Sequence, residues 1–169
     1  MNNPGDADNL LIHARSALLD ALDALGAHRD SIVVIGAQAI YLHAAGAAVA
    51  VAEATKESDL AIAPRILQNE PLIEKAMERA GFYPDPEKNQ PGAWLNPDGI
   101  PVDLMVPEAL AGGGGKRARG ARVSPHDNHA MRRARGLEAA VVDNELMVVA
   151  APTGCSVASP TTSVRAGDG

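Results

Sequence analysis

The fold is decided by residues 31–45, which read SIVVIGAQAIYLHAA. Residues 31–35 are dominated by β-branched side chains, a pattern typical of a short buried strand. Gly36 follows this run directly, and residues 37–45 have the composition of a helix. The stretch predicts a strand that turns at Gly36 into a helix. The free backbone N–H groups at the start of that helix would form an anion site, and Gly36 would let a phosphate approach them.

Acidic residues in and beside two further apolar runs form the second informative pattern. Glu57 and Asp59 are two residues apart at the start of a predicted strand, 59–63 (DLAIA), so both side chains point to one face. Asp103 lies inside 102–106 (VDLMV), where a buried carboxylate is unfavourable unless it is paired, hydrogen-bonded or bound to a metal. If the two strands are neighbours, three carboxylates converge and a divalent cation relieves their repulsion. All-oxygen ligands favour Mg²⁺ or Mn²⁺.

The remaining elements predict an α/β (α+β) fold, a small mixed sheet flanked by helices. Apolar residues recur at helical spacing over 9–25, and a second helix over 71–80 ends at Gly81. Residues 96–99 (NPDG) have strong turn chemistry, so 94–95 and 100–106 are expected to pair as a hairpin. Residues 132–140 are predicted to be helical and 146–150 to form a strand.

Length and composition exclude several classes of protein. A chain of 169 residues favours one domain, and its 2% of aromatic residues leaves the core to Ala, Val, Leu and Ile. A single cysteine, Cys155, excludes an internal disulfide framework. No apolar run approaches the roughly 18 residues that span a bilayer, and the polar, acidic start is unlike a secretory signal. We therefore expect a cytoplasmic protein without a membrane partner.

The formal net charge of -6 hides a division along the chain. Residues 1–110 carry 7 Lys and Arg against 16 Asp and Glu, a net charge of -9, whereas residues 111–169 carry 8 against 5, a net charge of +3. Most of the positive charge lies in 116–135. An acidic body with a basic segment predicts a polyanionic partner, the alternative being a solvated surface segment. The segment has no aromatic residue, which favours phosphate contacts over base stacking.

The same division suggests the organisation of the chain. Residues 1–110 are predicted to form the core, and 111–150 a basic segment that completes the domain and is hinged at the four glycines 112–115. Residues 151–169 have few large apolar groups and no periodicity, so we expect a disordered tail.

Three ordered segments resemble a known fold. Residues 33–43 (VVIGAQAIYLH), 55–60 (TKESDL) and 102–105 (VDLM) resemble the polymerase-β-type nucleotidyltransferases. The chain is most similar to the AbiEii/MenT-like toxins of bacterial toxin–antitoxin systems. The resemblance implies transfer of a nucleoside monophosphate from an NTP, with the 3′ end of tRNA as the RNA acceptor in some members. It also implies a cognate antitoxin as partner.

The candidate site residues follow from the motifs and the resemblance together. Glu57, Asp59 and Asp103 would hold Mg²⁺ or Mn²⁺, with Asp59 and Asp103 as the catalytic carboxylates. The nucleotide would contact Gly36, Ala37, Gln38 and Lys56, although Lys56 could equally face solvent. The RNA would contact Lys116, Arg117, Arg119, Arg132 and Arg133. Alternatively, Asp103 simply accepts a hydrogen bond from Trp94 Nε1–H or pairs with a neighbouring lysine.

The chain also departs from the family pattern. Glu57 stands where an Asp is common, and Ala37 stands where the phosphate turn usually has Ser. The family usually continues into helices that carry a lysine, whereas residues 152–169 here read PTGCSVASPTTSVRAGDG, so we expect a truncated C-terminal part. A catalytically weak or inactive module that binds RNA or an antitoxin is therefore the alternative function. A third hypothesis is an enzyme with a small-molecule or protein acceptor.

Overall fold

The computed structural model describes residues 4–44, 57–114, 118–149 and 162–167. Over these ranges the chain forms one mixed sheet with helices packed against it. The helices are α1 (Pro4–Ala24), α2 (Gly36–His43) and α3 (Ile73–Arg79). The strands are β1 (Ile32–Ile35), β2 (Ser58–Ile62), β3 (Tyr83–Pro84), β4 (Ala93–Leu95), β5 (Pro101–Pro107), β6 (Arg132–Ala134), β7 (Asn144–Val149) and β8 (Thr162–Gly167).

The strands follow the order β3-β4-β5-β2-β1-β8-β7, with β6 paired to β5. The pairs β2–β5, β1–β8 and β5–β6 are parallel, whereas β1–β2, β3–β4, β4–β5 and β7–β8 are antiparallel. This mixed sheet with flanking helices confirms the predicted α/β class. No helix in the described ranges is both long and apolar enough to cross a membrane.

The predicted strand–glycine–helix unit is confirmed as β1 and α2. β1 lies inside the sheet between β2 and β8, and Ile32, Val33 and Val34 are buried. The chain turns into α2 at Gly36, which has a φ of 66°. The predicted hairpin is also confirmed, because β4 and β5 pair antiparallel across the turn at 96–99.

The core lies between α1 and the sheet. α1 packs on β2 and β5 and presents buried Ala17, Leu18, Ala21 and Leu22. The alanines let the helix approach closely, and the hydroxyl of Ser58 on β2 donates to the carbonyl of Ala14 at 3.0 Å. This contact holds the start of β2, and therefore the neighbouring Asp59, against the buried face of α1.

Two buried histidines anchor the chain that leads into α3. Nδ1 of His126 accepts from the backbone N–H of Ile73 at 3.2 Å, so its Nε2–H donates to the carbonyl of Gln68 at 3.0 Å. Nε2 of His28 contacts the carbonyl of Pro71 at 2.8 Å, and the two rings meet edge to face. Burial lowers the pKa of His28. The neutral form of the His28 ring therefore suits this packing.

Acidification is expected to destabilise the protein through His28. Its folded-state pKa lies below the ordinary value of 6.5, so this stability is present above 6.5 and is lost as the pH falls from 6.5 through the lower folded-state pKa. We predict that the free energy of unfolding of the wild type falls relative to His28→Gln as the pH is lowered from about 7 to about 5. Urea denaturation at each pH measures the difference, and a pH-independent difference would contradict the prediction.

The structure corrects two of the predicted elements. Residues 132–140 are not helical: β6 occupies Arg132–Ala134 and pairs with 105–107 of β5, after the stretch of β5 that pairs with β4, and turns follow at Gly136, whose φ is 77°. The predicted disordered tail is wrong over Thr162–Gly167, which form β8 between β1 and β7. Backbone pairing on both sides and buried Val164 and Ala166 stabilise β8 despite its small side chains. Residues 151–161 and 168–169 lie outside the described residues.

The predicted basic segment is continuous with the rest of the sheet. It contributes β6 beside β5 and β7 beside β8. The boundary at 110/111 and the hinge at 112–115 stay predictions, and Gly115 lies outside the described residues.

Candidate active site

Two aspartates lie side by side at the centre of the sheet. β2 and β5 are parallel neighbours, and their register pairs Asp59 with Asp103. Register partners on adjacent strands present their side chains on the same face, about 5 Å apart at the backbone. The two strands that the sequence analysis required to be neighbours are therefore neighbours, and the two carboxylates emerge together.

Burial and mutual repulsion make it unfavourable for both aspartates to be ionised. Asp103 is only 3% exposed. Burial, followed by the negative charges of Asp103 and Glu57, raises the pKa of Asp59 to about 6, against the opposing effect of Arg132 and Lys88. Asp59 therefore lies where additional positive charge would stabilise its ionised form.

Gly36 lies against the carboxylate of Asp59. The register places Asp59 opposite Ile35, immediately before the turn into α2. A Cβ on Gly36 would lie 2.7 Å from Oδ2 of Asp59, and the positive φ of Gly36 already disfavours other residues. The sequence analysis predicted a close approach of phosphate at this turn, and the structure shows a close approach of the Asp59 carboxylate to the start of α2.

The other predicted nucleotide-binding residues differ in their surroundings. Gly36 is exposed and Ala37 is partly exposed, so the start of α2 is open. The Gln38 side chain is buried, and its Oε1 accepts from Nε of Arg15 on α1 at 3.1 Å. Its carboxamide oxygen is thus engaged with α1. Lys56 lies outside the described residues.

Both oxygens of Asp103 face cationic side chains. Lys88 Nζ lies 3.5 Å from Oδ1 of Asp103 and 3.0 Å from Oε1 of Glu57, whereas Arg132 Nη2 lies 3.3 Å from Oδ2 of Asp103. The neighbouring-lysine alternative for Asp103 is therefore observed. These contacts partly neutralise the three carboxylates.

The other alternative for Asp103 is not what the structure shows. Trp94 Nε1 donates to the carbonyl of Ala130 at 3.0 Å. The indole therefore ties β4 to the chain just before β6, leaving Asp103 to the two cations.

Sequence reasoning missed Lys88 and gave Arg132 a different role. Lys88 follows Asp85, whose Oδ1 accepts from the backbone N–H groups of Glu87 and Lys88 at 2.8 and 3.1 Å. Such a turn is readable in the sequence 85–89 (DPEKN), but only the sheet brings it to Asp103. Arg132 was predicted to contact RNA, and the structure brings it to Asp103 as well.

The donor set fits a hard divalent cation only in part. Asp59 and Asp103 offer adjacent carboxylates, and Mg²⁺ is commonly held by one or two carboxylates together with water and phosphate oxygens. Within the described ranges, however, no group of three acidic, His or Cys side chains is arranged to hold a metal ion. Glu57, the predicted third ligand, instead has Lys88 against its Oε1. Of the three predicted metal ligands, the sheet therefore places Asp59 and Asp103 side by side.

An arginine-rich pocket adjoins the aspartate pair. The pocket has a volume of about 220 Å³, and its lining includes Arg119, Arg132, Arg133, Arg135 and Glu108. Arg135 Nε pairs with Oε2 of Glu108 at 2.8 Å. Four guanidinium groups around one pocket favour an anionic ligand.

Three of the predicted RNA-binding residues thus line one pocket. Arg132 is common to this pocket and to the aspartate pair. Lys116 and Arg117 lie outside the described residues.

A family model described as nucleotidyltransferase matches residues 13–162. The chain belongs to the nucleotidyltransferase family. The match spans β1, α2, β2 and β5, and it continues past residue 150. No curated protein and no solved structure matches the chain. Family membership supports nucleotidyl transfer in general and implies an NTP substrate.

The raised pKa of Asp59 gives this nucleotidyltransferase a pH-dependent stability. The folded state keeps a proton on Asp59 to a higher pH than the unfolded state does, so the associated stability is present below 3.8 and is lost as the pH rises through about 6. We predict that Asp59→Asn is more stable than the wild type at about pH 8, by up to about 3 kcal/mol, and that the difference shrinks at about pH 4.

Chemical denaturation across this range tests the prediction, with the exposed Asp143→Asn as the matched control. Equal destabilisation by Asp59→Asn at every pH would show that Asp59 carries no electrostatic penalty.

Proposed function

We propose that this nucleotidyltransferase moves a nucleoside monophosphate from an NTP to an RNA acceptor, with the 3′ end of tRNA as the first candidate. We further propose that it is the toxin of a toxin–antitoxin pair, acting in the cytoplasm with a cognate antitoxin as its protein partner. The observation that carries the enzymatic proposal is the adjacency of Asp59 and Asp103 beside the open start of α2. The resemblance of 33–43, 55–60 and 102–105 to AbiEii/MenT-like toxins supports the finer assignment.

Asp59 and Asp103 would hold Mg²⁺ or Mn²⁺, with Glu57 as a further ligand. Such an ion stabilises the negative charge that develops on the transferred phosphoryl group. The protein's own residues must bind the triphosphate and align the acceptor hydroxyl with it.

The start of α2 is the proposed triphosphate site. Backbone N–H groups at a helix start attract anions, and Gly36 and Ala37 leave this end open. Lys56 precedes β2 closely in the chain, and we propose that it contacts the same phosphates. The acceptor hydroxyl would give its proton to Asp103 and attack the α-phosphorus. The bond from that phosphorus to the bridging oxygen then breaks and pyrophosphate leaves.

The arginine-rich pocket is the proposed contact for the acceptor. Arg119, Arg132 and Arg133 would bind RNA phosphates, and Lys116 and Arg117 belong to the same basic segment. Phosphate contacts position a nucleic acid without reading its sequence. A polyanionic acceptor fits this pocket better than a neutral small molecule does.

A second candidate function is a catalytically weak or inactive module that binds RNA or an antitoxin. The pairing of both Asp103 oxygens with Lys88 and Arg132 favours it, because both partners compete with a metal ion for that carboxylate. Glu57, which stands where an Asp is common in the family, also favours this second candidate.

Transfer to RNA is expected to depend on both aspartates. Incubation of the wild type with labelled NTPs, Mg²⁺ and total RNA should label RNA, and Asp59→Asn and Asp103→Asn should each reduce the rate by about 10²-fold or more. Asp143→Asn is the matched control and should retain the wild-type rate. Binding of RNA without label in the wild type would instead support the module.

The arginine-rich pocket should account for part of the salt dependence of RNA binding. Arg119 is exposed, so Arg119→Gln is expected to leave the fold intact while weakening RNA binding and reducing the slope of log affinity against log salt by about one phosphate contact. Fluorescence anisotropy at several salt concentrations measures the slope. Arg65→Gln, which is exposed and does not line the pocket, is the control, and an equal effect of both variants would contradict the assignment.

A further inference from the structure

Lys88 occupies an unusual position between two carboxylates of the candidate site. Its Nζ lies 3.0 Å from Oε1 of Glu57 and 3.5 Å from Oδ1 of Asp103, and its side chain is 30% exposed. A single ammonium group thus bridges a solvent-exposed acid and a buried one. The carboxylates it joins are two of the three that the sequence analysis assigned to a metal ion.

The loop between β3 and β4 holds Lys88 in this position. Asp85 accepts from the backbone N–H of Lys88 through Oδ1, and its carbonyl accepts from the N–H of Asn89 at 3.1 Å. Asn89 has a φ of 43°, which closes the loop tightly. The backbone is therefore fixed, while the partly exposed side chain has solvent on one side into which it can move.

The charges around Lys88 explain why it lies there. Asp59, Asp103 and Glu57 raise each other's energy when they are ionised. Arg132 faces the opposite oxygen of Asp103, Oδ2, so within the described ranges Lys88 is the cation that contacts Oδ1 of Asp103 and Oε1 of Glu57. Removing Lys88 would leave a buried carboxylate oxygen uncompensated, which is unfavourable unless another cation replaces it.

We propose that Lys88 is a displaceable internal counter-ion, which neutralises Glu57 and Asp103 until a divalent cation binds to the carboxylates. Binding of the cation expels the ammonium group, because two cations in contact with the same oxygens repel each other. The affinity for the divalent cation is then set by competition with Lys88. This inference rests on the proposed metal dependence of the site.

Titration of the full chain with Mn²⁺, followed by the electron paramagnetic resonance of the free ion, tests the competition. Lys88→Met removes the charge with little change in length and should bind Mn²⁺ about tenfold more tightly than the wild type, since one like charge near the ion is lost. Lys75→Met is the matched control, because Lys75 pairs with Glu78 on the surface of α3 and should leave the affinity unchanged. Equal or weaker binding by Lys88→Met, or no binding by either protein, overturns the proposal.

A second measurement uses the wild type alone and does not depend on how the variant folds. Brief acylation with an amine-reactive reagent, followed by mass spectrometry, reports the accessibility of Lys88. Mn²⁺ should raise the reactivity of Lys88 while leaving that of Lys75 unchanged. Unchanged or reduced reactivity of Lys88 overturns the proposal.

Neither measurement requires an NTP or RNA. Tighter Mn²⁺ binding by Lys88→Met in a protein that labels no RNA would leave the counter-ion role standing and contradict the proposed transfer. Conversely, aspartate-dependent labelling of RNA with unchanged Mn²⁺ binding would contradict the counter-ion role alone.

Discussion

The structure around the candidate site depends on one constraint, the parallel register that sets Asp59 beside Asp103. Two carboxylates at this separation, one of them buried, repel each other unless cations approach. The neighbouring residues either make room for these carboxylates or offset their negative charge. Gly36 leaves room for the Asp59 carboxylate against the start of α2, and Lys88 and Arg132 each contact Asp103.

A close backbone approach brings Arg132 into reach. Gly92 has a φ of 76°, and a Cβ there would collide with the carbonyl of Leu104 and the backbone nitrogen of Arg132. This glycine lets β4, β5 and β6 meet at one point, where its carbonyl accepts from Leu104 N–H and its own N–H donates to the carbonyl of His129. The site therefore depends on a residue that carries no functional group.

Local sequence patterns predict their structure correctly in this chain. The β-branched run before Gly36 and the NPDG turn at 96–99 both specify their conformation through nearby residues, and both are confirmed. Segments whose pairing partners are distant in the chain differ from their predicted structure. Residues 132–134 extend along β5 although their helix propensity is good, and 162–167 form β8 between two strands although their composition is typical of a tail.

The sequence by itself determined the fold class, the turn at Gly36 and the presence of carboxylates in strands that must be buried, because periodicity and burial of charge are properties of the chain. Only the tertiary structure decided which groups meet those carboxylates. Lys88 and Arg132 are 15 and 29 residues from Asp103, and nothing in their local sequence specifies the contact. The parallel pairing of strands far apart in the chain creates it, since register converts distant positions into neighbours.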